Sequence, residues 1–219
     1  MRRKNEPPKT AQLVWKETQK TMTLTGETVL EISLSWPELA DKRLRSVNRY
    51  YQRLREAWEK QWSRDIYWCA CVDLARKREQ SRPFSPWTAR LTGRVTQNDG
   101  QFLSIALCAQ EVHGDGLLLE YRWGDTWRQE DGAPVRLKEL FPEKRRWRRP
   151  FLWQTEEAAQ RARGQGVYLD ADLKGSLRKW LSTGRFALEG EELLLFYPQC
   201  TIAPAVEGAV ELRLPLSLV

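Results

Sequence analysis

From about Asp41 to Gln80 the apolar residues fall three or four positions apart: Leu44, Val47, Tyr51, Leu54, Trp58, Trp62 and Ile66. Lys, Arg and Glu fill the intervals. This spacing puts the series on one side of a long α-helix, and so long an apolar stripe has to be covered by something else. Asp41 can cap the first turn, and Pro83 and Pro86 in "SRPFSP" stop the helix. The rest of the chain must therefore supply a surface for it. Trp58 and Trp62 are expected to pack between helix and surface, with Glu59, Lys60, Arg64 and Asp65 facing away.

Strands supply that surface. In "TVLEISLSW" Leu30, Ile32, Leu34 and Trp36 alternate with Glu31, Ser33 and Ser35, a half-buried strand ended by Pro37. The preceding "AQLVWKETQKTMTLTGE" can pair with it through a turn at Gly26. After the helix, "WTARLTGRVT", "FLSIALCAQEV" and "LLLEYRW" form a meander with turns at Asp99–Gly100 and Gly114–Gly116. Residues 124–134 read as a polar turn. "TEEAAQRARG" and "DADLKGSLRKWLSTG" read as two shorter helices, "RFALEGEELLLFYP" as a hairpin turning at Glu189–Gly190, and Val210–Leu216 as a last strand. Short turns between successive strands imply antiparallel pairing. The expectation is an α+β fold: an antiparallel β-sheet packed by one long N-terminal helix and two shorter helices. It divides into a disordered basic tail (1–11), strands plus long helix (12–82), and meander, helices and hairpin (83–219), packed as one globular unit.

The 219 residues carry 36 Lys and Arg against 29 Asp and Glu, a net charge of +7. That balance favours anionic partners such as nucleic acid, wall polymers or acidic lipid heads. Eleven Trp are more than a core of this size hides easily, so several are expected at the surface. No apolar run reaches the roughly 18 residues of a membrane span, and the basic start lacks the apolar stretch of a signal peptide. As written the chain reads as cytoplasmic; a trimmed fragment of an exported protein would look the same.

Cys69 and Cys71 lie two apart on the helix, about 200° around it, and cannot clasp one metal together. With Cys108 and Cys200 they read as small buried hydrophobes rather than a zinc site or disulfide framework. No metal and no cofactor is expected. His113, the one histidine, stands near Glu111 and Asp115 and could be read as a general base. A single histidine makes no His-rich metal site, and no serine elbow accompanies it, so a turn histidine is the simpler reading. Asp170 and Asp172 could serve glycoside hydrolysis as paired carboxylates; before "LKGSLRKWL" they also suit helix capping. The most suggestive signal is Lys144, Arg145, Arg146, Trp147, Arg148 and Arg149. Clustered cations with an interleaved aromatic suit phosphate contact plus stacking, in nucleic acid or another polyanion. The plainer alternative is a solvated basic edge with Trp147 anchored in the core. These six residues and His113 are the candidate ligand-binding set.

The C-terminal stretch ends a strand at Tyr197–Pro198, continues as "TIAPAVEG", and closes with an alternating strand holding Glu211 and Pro215. Upstream stand "ISLSWPEL", then "VNRYYQRL" with Asn48, then "EVHGDG", Gly132 and "RLKELF". In this order they resemble the extracytoplasmic domain of RsiV-type anti-sigma factors, a domain also found beside PdaC-type peptidoglycan deacetylase modules. The resemblance spans residues 12–219. It implies a two-part α/β domain, a membrane anchor or export signal, and sensing or binding at the bacterial cell envelope. With no catalytic constellation in the sequence the expected role is non-enzymatic, and the basic charge makes an anionic polymer or a protein the expected partner. RsiV-type members recognise lysozyme, but a net charge of +7 opposes so basic a partner. The turn here reads Glu111-Val112-His113 where the family has Gly-Ala-His. From Pro198, Pro204 and Gly208 the loop between the last two strands is expected to wrap an end of the sheet, so that the final strand pairs inside it, and to carry no chemistry.

Overall fold

The computed structural model describes residues 10–141 and 146–216; residues 1–9 of the expected tail lie outside that range. Ala11 already belongs to the folded body. It is buried, its N–H donates to Asn98 Oδ1 at 2.9 Å, and its carbonyl accepts from Asn98 Nδ2 at 2.8 Å.

Strands β1 (Leu13–Leu24) and β2 (Glu27–Leu39) form the hairpin that turns at Gly26. After the long helix come β3 (Trp87–Asn98), β4 (Phe102–Val112) and β5 (Leu118–Arg128), giving a first sheet of order β1-β2-β3-β4-β5. The expectation of one antiparallel sheet is corrected here. β2 and β3 run parallel, from Leu30 beside Trp87 to Leu34 beside Leu91, so the sheet is mixed. The physical reason is the helix between them: a crossover of that length returns the chain to the starting end of β2, where a tight turn would have reversed it. β2 also continues through Pro37. Its ladder with β3 ends at Leu34, so beyond that point one edge of β2 can hold a residue without an amide hydrogen.

The helix is made of α1 (Arg45–Gln61), a π turn (Trp62–Ile66) and α2 (Tyr67–Glu79). Asp41 accepts from the Arg43 N–H at 2.9 Å just ahead of it. Asn48 staples the helix to the end of β2, accepting from Leu39 N and donating to Leu39 O, both at 2.8 Å. The stripe lies on the first sheet as expected: Leu44, Val47, Tyr51 and Trp62 are fully buried, and Trp58 packs between Trp62 and Trp123. Of the cysteines, Cys71 is buried, Cys108 half-buried, and Cys69 and Cys200 exposed, so the buried-hydrophobe reading fails for the last two.

A second, antiparallel sheet of order β6-β7-β8 comprises β6 (Phe186–Glu189), β7 (Glu192–Tyr197) and β8 (Val210–Pro215). The final strand is thus an edge strand and not an interior one. Helices α3 (Arg148–Gly164) and α4 (Leu173–Trp180) cover the outer face, where Phe151, Ala158, Ala159, Leu173 and Leu177 meet Phe186, Leu193, Leu195 and Leu212. α3 starts well before "TEEAAQRARG" because Pro150 sits in its first turn, where a missing amide hydrogen costs nothing. The layers run helix, sheet, sheet, helices.

The two sheets meet where residues 124–134 were expected to turn. β5 runs on to Arg128 instead. Its face toward the long helix carries Trp123, Asp125 and Trp127; the opposite face carries Gly124 and Thr126. A β-carbon on Gly124 would stand 2.5 Å from Ala187 N and Phe186 C, so β6 crosses β5 in backbone contact. Gly124→Ala is expected to force the sheets apart. The cost should be about 1–3 kcal/mol of overpacking, since backbone cannot yield as a side chain can. A lowered chemical-denaturation midpoint checks this; an unchanged one would show that the seam is looser.

Asp125 sits between the sheet and α1, 7% exposed, with Tyr50 donating to its Oδ1 at 3.2 Å. Its Oδ2 has no partner among the described residues. Burial pushes its pKa up to about 6 from 3.8, only partly offset by Tyr50. Folding therefore favours the protonated acid. For this group stability is full below about pH 4, falls as pH rises toward 6, and then levels off, a loss of about 3 kcal/mol. Asp125→Asn should flatten that fall in stability measurements taken between pH 4 and 7. A variant retaining the wild-type slope would assign it to another group.

Candidate functional site

On the outer helical layer α3 and α4 flank an open cleft of about 640 Å³, lined by Arg148, Arg149, Leu152, Trp153, Glu156, Lys174 and Arg178. The helical repeat explains each wall. Arg149 and Trp153 are four apart on α3, as are Arg148 and Leu152; Lys174 and Arg178 are four apart on α4. Leu173 and Leu177, each next to one of those cations, are buried and lock α4 onto the second sheet. Four cations thus face one carboxylate. Glu156 is engaged by Lys174 at 3.6 Å, and among the described residues no acid pairs with Arg148, Arg149 or Arg178. The positive end of α3 lies at the same mouth, since Arg148 and Arg149 form its first turn. Trp153, 60% exposed, presents its ring beside these cations. Chemically the cleft can hold an anion against an apolar wall.

The sequence-derived set is only partly gathered here. Arg148 and Arg149 line the cleft. Arg146 is exposed in the turn before α3, and Trp147 turns inward onto Phe141 and Phe151, with ring centroids at 5.3 and 5.6 Å. The aromatic beside the cations is therefore Trp153. Lys144 and Arg145 lie outside the described residues. His113 is elsewhere, in the β4–β5 turn, stacked on Trp87 at 3.8 Å and 9°; its Nε2 is buried without a partner among the described residues. Sequence reasoning missed Leu152, Trp153, Glu156, Lys174 and Arg178 as site residues. The signal available was the four-residue spacing of Lys174 and Arg178 beside an apolar stripe, but nothing in it says which helix stands opposite.

The carboxylates considered for hydrolysis are apart. Glu111, 2% exposed, accepts from Trp62 Nε1 at 2.7 Å inside the helix–sheet core. Asp170 and Asp172 are exposed in the α3–α4 connection, where the Asp170 N–H donates to Ile202 O at 3.0 Å. Among the described residues no group of His, Cys, Asp and Glu is placed to hold a metal ion.

The "TIAPAVEG" loop fastens the two sheets together at one end. Gln199 accepts from Glu120 N at 2.9 Å and donates to Leu118 O and Ala205 O; Glu120 in turn accepts from Ala209 N at 3.2 Å. Ile202 and Ala203 plug the second core.

No family model matches the sequence, and no curated protein matches it. Solved structures do share its fold. A member of the DUF3298 family from Bacteroides fragilis NCTC 9343 superposes with a TM-score of 0.61 at 11% identity, covering 97% of this chain and 93% of that one. A DUF3298 family protein from Pseudomonas aeruginosa PAO1 gives 0.57 at 16% identity, covering 98% and 93%. Nearly the whole chain is thus built as these two DUF3298 structures are, and the likeness is one of fold.

Proposed function

We propose that this chain is a non-enzymatic binding domain of sensor type at the bacterial cell envelope, taking an anionic ligand in the α3–α4 cleft. One observation carries the reading: Arg148, Arg149 and Arg178, without acid partners among the described residues, flank an open cleft walled by Leu152 and Trp153. Like charges are held together on a fold at a cost in repulsion, which an incoming anion relieves. The envelope assignment is supported by the sequence resemblance to RsiV-type domains, while the DUF3298 structures from two bacteria support the fold. A hydrolase has less support. Glu111 is committed to Trp62, and neither Asp170 nor Asp172 lines the cleft. A basic protein partner such as lysozyme would meet four cations there and be repelled.

Titration with sodium polyphosphate tests the reading. Binding should weaken between about 50 and about 200 mM salt as the charges are screened. The exposed pair Arg149→Glu/Arg178→Glu should weaken it by at least about tenfold, roughly 1.4 kcal/mol, with the fold intact by circular dichroism. A double variant that binds as the wild type does would end the assignment. Generic duplex DNA bound more tightly than polyphosphate, through the same two arginines, would turn the reading toward nucleic acid.

A further inference from the structure

The chemistry of the cleft points past a simple anion. We infer that its ligand is the phosphate headgroup of an anionic lipid, held while Trp153 enters the interfacial layer of the bilayer. This rests on the reading of the α3–α4 cleft as an anion site.

Three features of the cleft lead there. First, the cations converge. Arg148 and Arg149 on the first turn of α3 and Arg178 on α4 flank one open cleft of about 640 Å³. A cleft of this size accommodates one headgroup-sized ligand, whereas a strand of nucleic acid is followed by a groove that tracks its backbone. Arginine guanidinium groups match phosphate oxygens in pairs. Second, the wall beside them is apolar and reaches outward. Leu152 is half-buried while Trp153 stands 60% exposed, a position unfavourable for an indole in water unless something covers it. Indoles favour the boundary between headgroups and acyl chains, beside Lys and Arg that meet the phosphates. A freely soluble phosphate gives Trp153 nothing to rest on; a phospholipid brings its own apolar part. Third, the cleft is on the outermost layer. α3 and α4 cover the second sheet and no element among the described residues covers them, so a flat surface can approach. Among the described residues no helix is long and apolar enough to cross a membrane. Each basic residue near an anionic leaflet contributes an attraction that salt screens.

Sedimentation with vesicles, run beside the polyphosphate titration, separates this inference from the one beneath it. Wild-type protein should bind phosphatidylcholine vesicles containing about one-third phosphatidylglycerol and should not bind pure phosphatidylcholine. Arg149→Glu/Arg178→Glu should lose at least about tenfold on vesicles and on polyphosphate alike. Trp153→Ala should lose at least about tenfold on vesicles and clearly less on polyphosphate, because the membrane contact is removed in addition to the cleft wall. Trp153→Phe, which retains a ring, should recover part of the vesicle binding. Polyphosphate binding without vesicle binding overturns the lipid inference and leaves the anion site standing. So does vesicle binding indifferent to Trp153→Ala, or free glycerol phosphate bound as tightly as the vesicles. Absence of both kinds of binding removes both readings.

Discussion

The backbone contact at Gly124 is the constraint on which the four-layer arrangement rests. Two sheets normally pack about 10 Å apart with interlocking side chains between them. Here the seam is nearly bare: Ala106, Ala187, Leu194 and Phe196 make up its buried apolar cluster. Thr126, itself 2.9 Å from Ser104 on the neighbouring strand, crosses the seam by donating to Phe186 O at 3.0 Å, and Arg94 on β3 pairs with Glu189 on β6. So close an approach requires the absence of a β-carbon on β5 and a short strand to cross it. Everything outward depends on that seam, because the second sheet is the floor on which α3 and α4 lie and hence the scaffold of the cleft. The Gln199 and Glu120 bonds at the loop end keep the second sheet from pivoting about it.

The opposite half is held by a different device, in which tryptophan acts as a donor as well as an apolar body. Trp62 donates to Glu111, Trp127 to Tyr51 and Trp87 to Asp73, all in the interior. Lys77, 6% exposed, completes the last of these at 3.0 Å from Asp73. A buried carboxylate without a donor is expensive, so each pair fixes where along the sheet the helix must sit. The π turn at Trp62–Ile66 belongs to the same arrangement. Its wider loop of backbone places Trp62 over Glu111 and lets Ala70, Cys71 and Leu74 continue the buried stripe on α2. This also accounts for the abundance of tryptophan. Trp68, Trp153 and Trp180 are exposed, while Trp62, Trp87, Trp123 and Trp127 are built into the helix–sheet core.

Periodicity made much of this legible. The stripe from Leu44 to Ile66, the hairpin at Gly26 and the meander after Trp87 follow from spacings of three to four and of two, which depend on neighbours in sequence. What stayed hidden depends on neighbours in space. "GDTW" reads as a turn because Gly, Asp and Thr are turn residues, yet each has a tertiary reason to be in β5. Gly124 gives clearance for β6, Asp125 meets Tyr50, and Thr126 bonds Phe186. The parallel pairing of β2 and β3 had a mark in the long helix between them, since a helical crossover suits parallel strands, but which strand comes to lie beside β2 depends on neighbours in space. The candidate site was half legible: Arg148 and Arg149 stand out as a run, whereas their partners Lys174 and Arg178 come from a helix whose position only the second sheet decides.

How α4 reaches that position is set by the connection before it. The connection from α3 is held from both sides: the Arg163 guanidinium donates to Leu169 O at 3.3 Å and Asp170 O at 2.9 Å, and the Asp170 N–H donates to Ile202 O. Ile202 belongs to the "TIAPAVEG" loop, which is pinned in turn to Glu120 on the first sheet. A chain of hydrogen bonds therefore runs from β5 through the loop to the root of α4, and Lys174 and Arg178 are projected from a braced element. Asp170, which the sequence reads as a helix-capping acid or a less simple hydrolytic one, contributes here through its backbone as a strut. A site braced in this way would, on the proposed anion reading, have little conformational entropy left to lose on binding, and the repulsion among its cations is built into the fold.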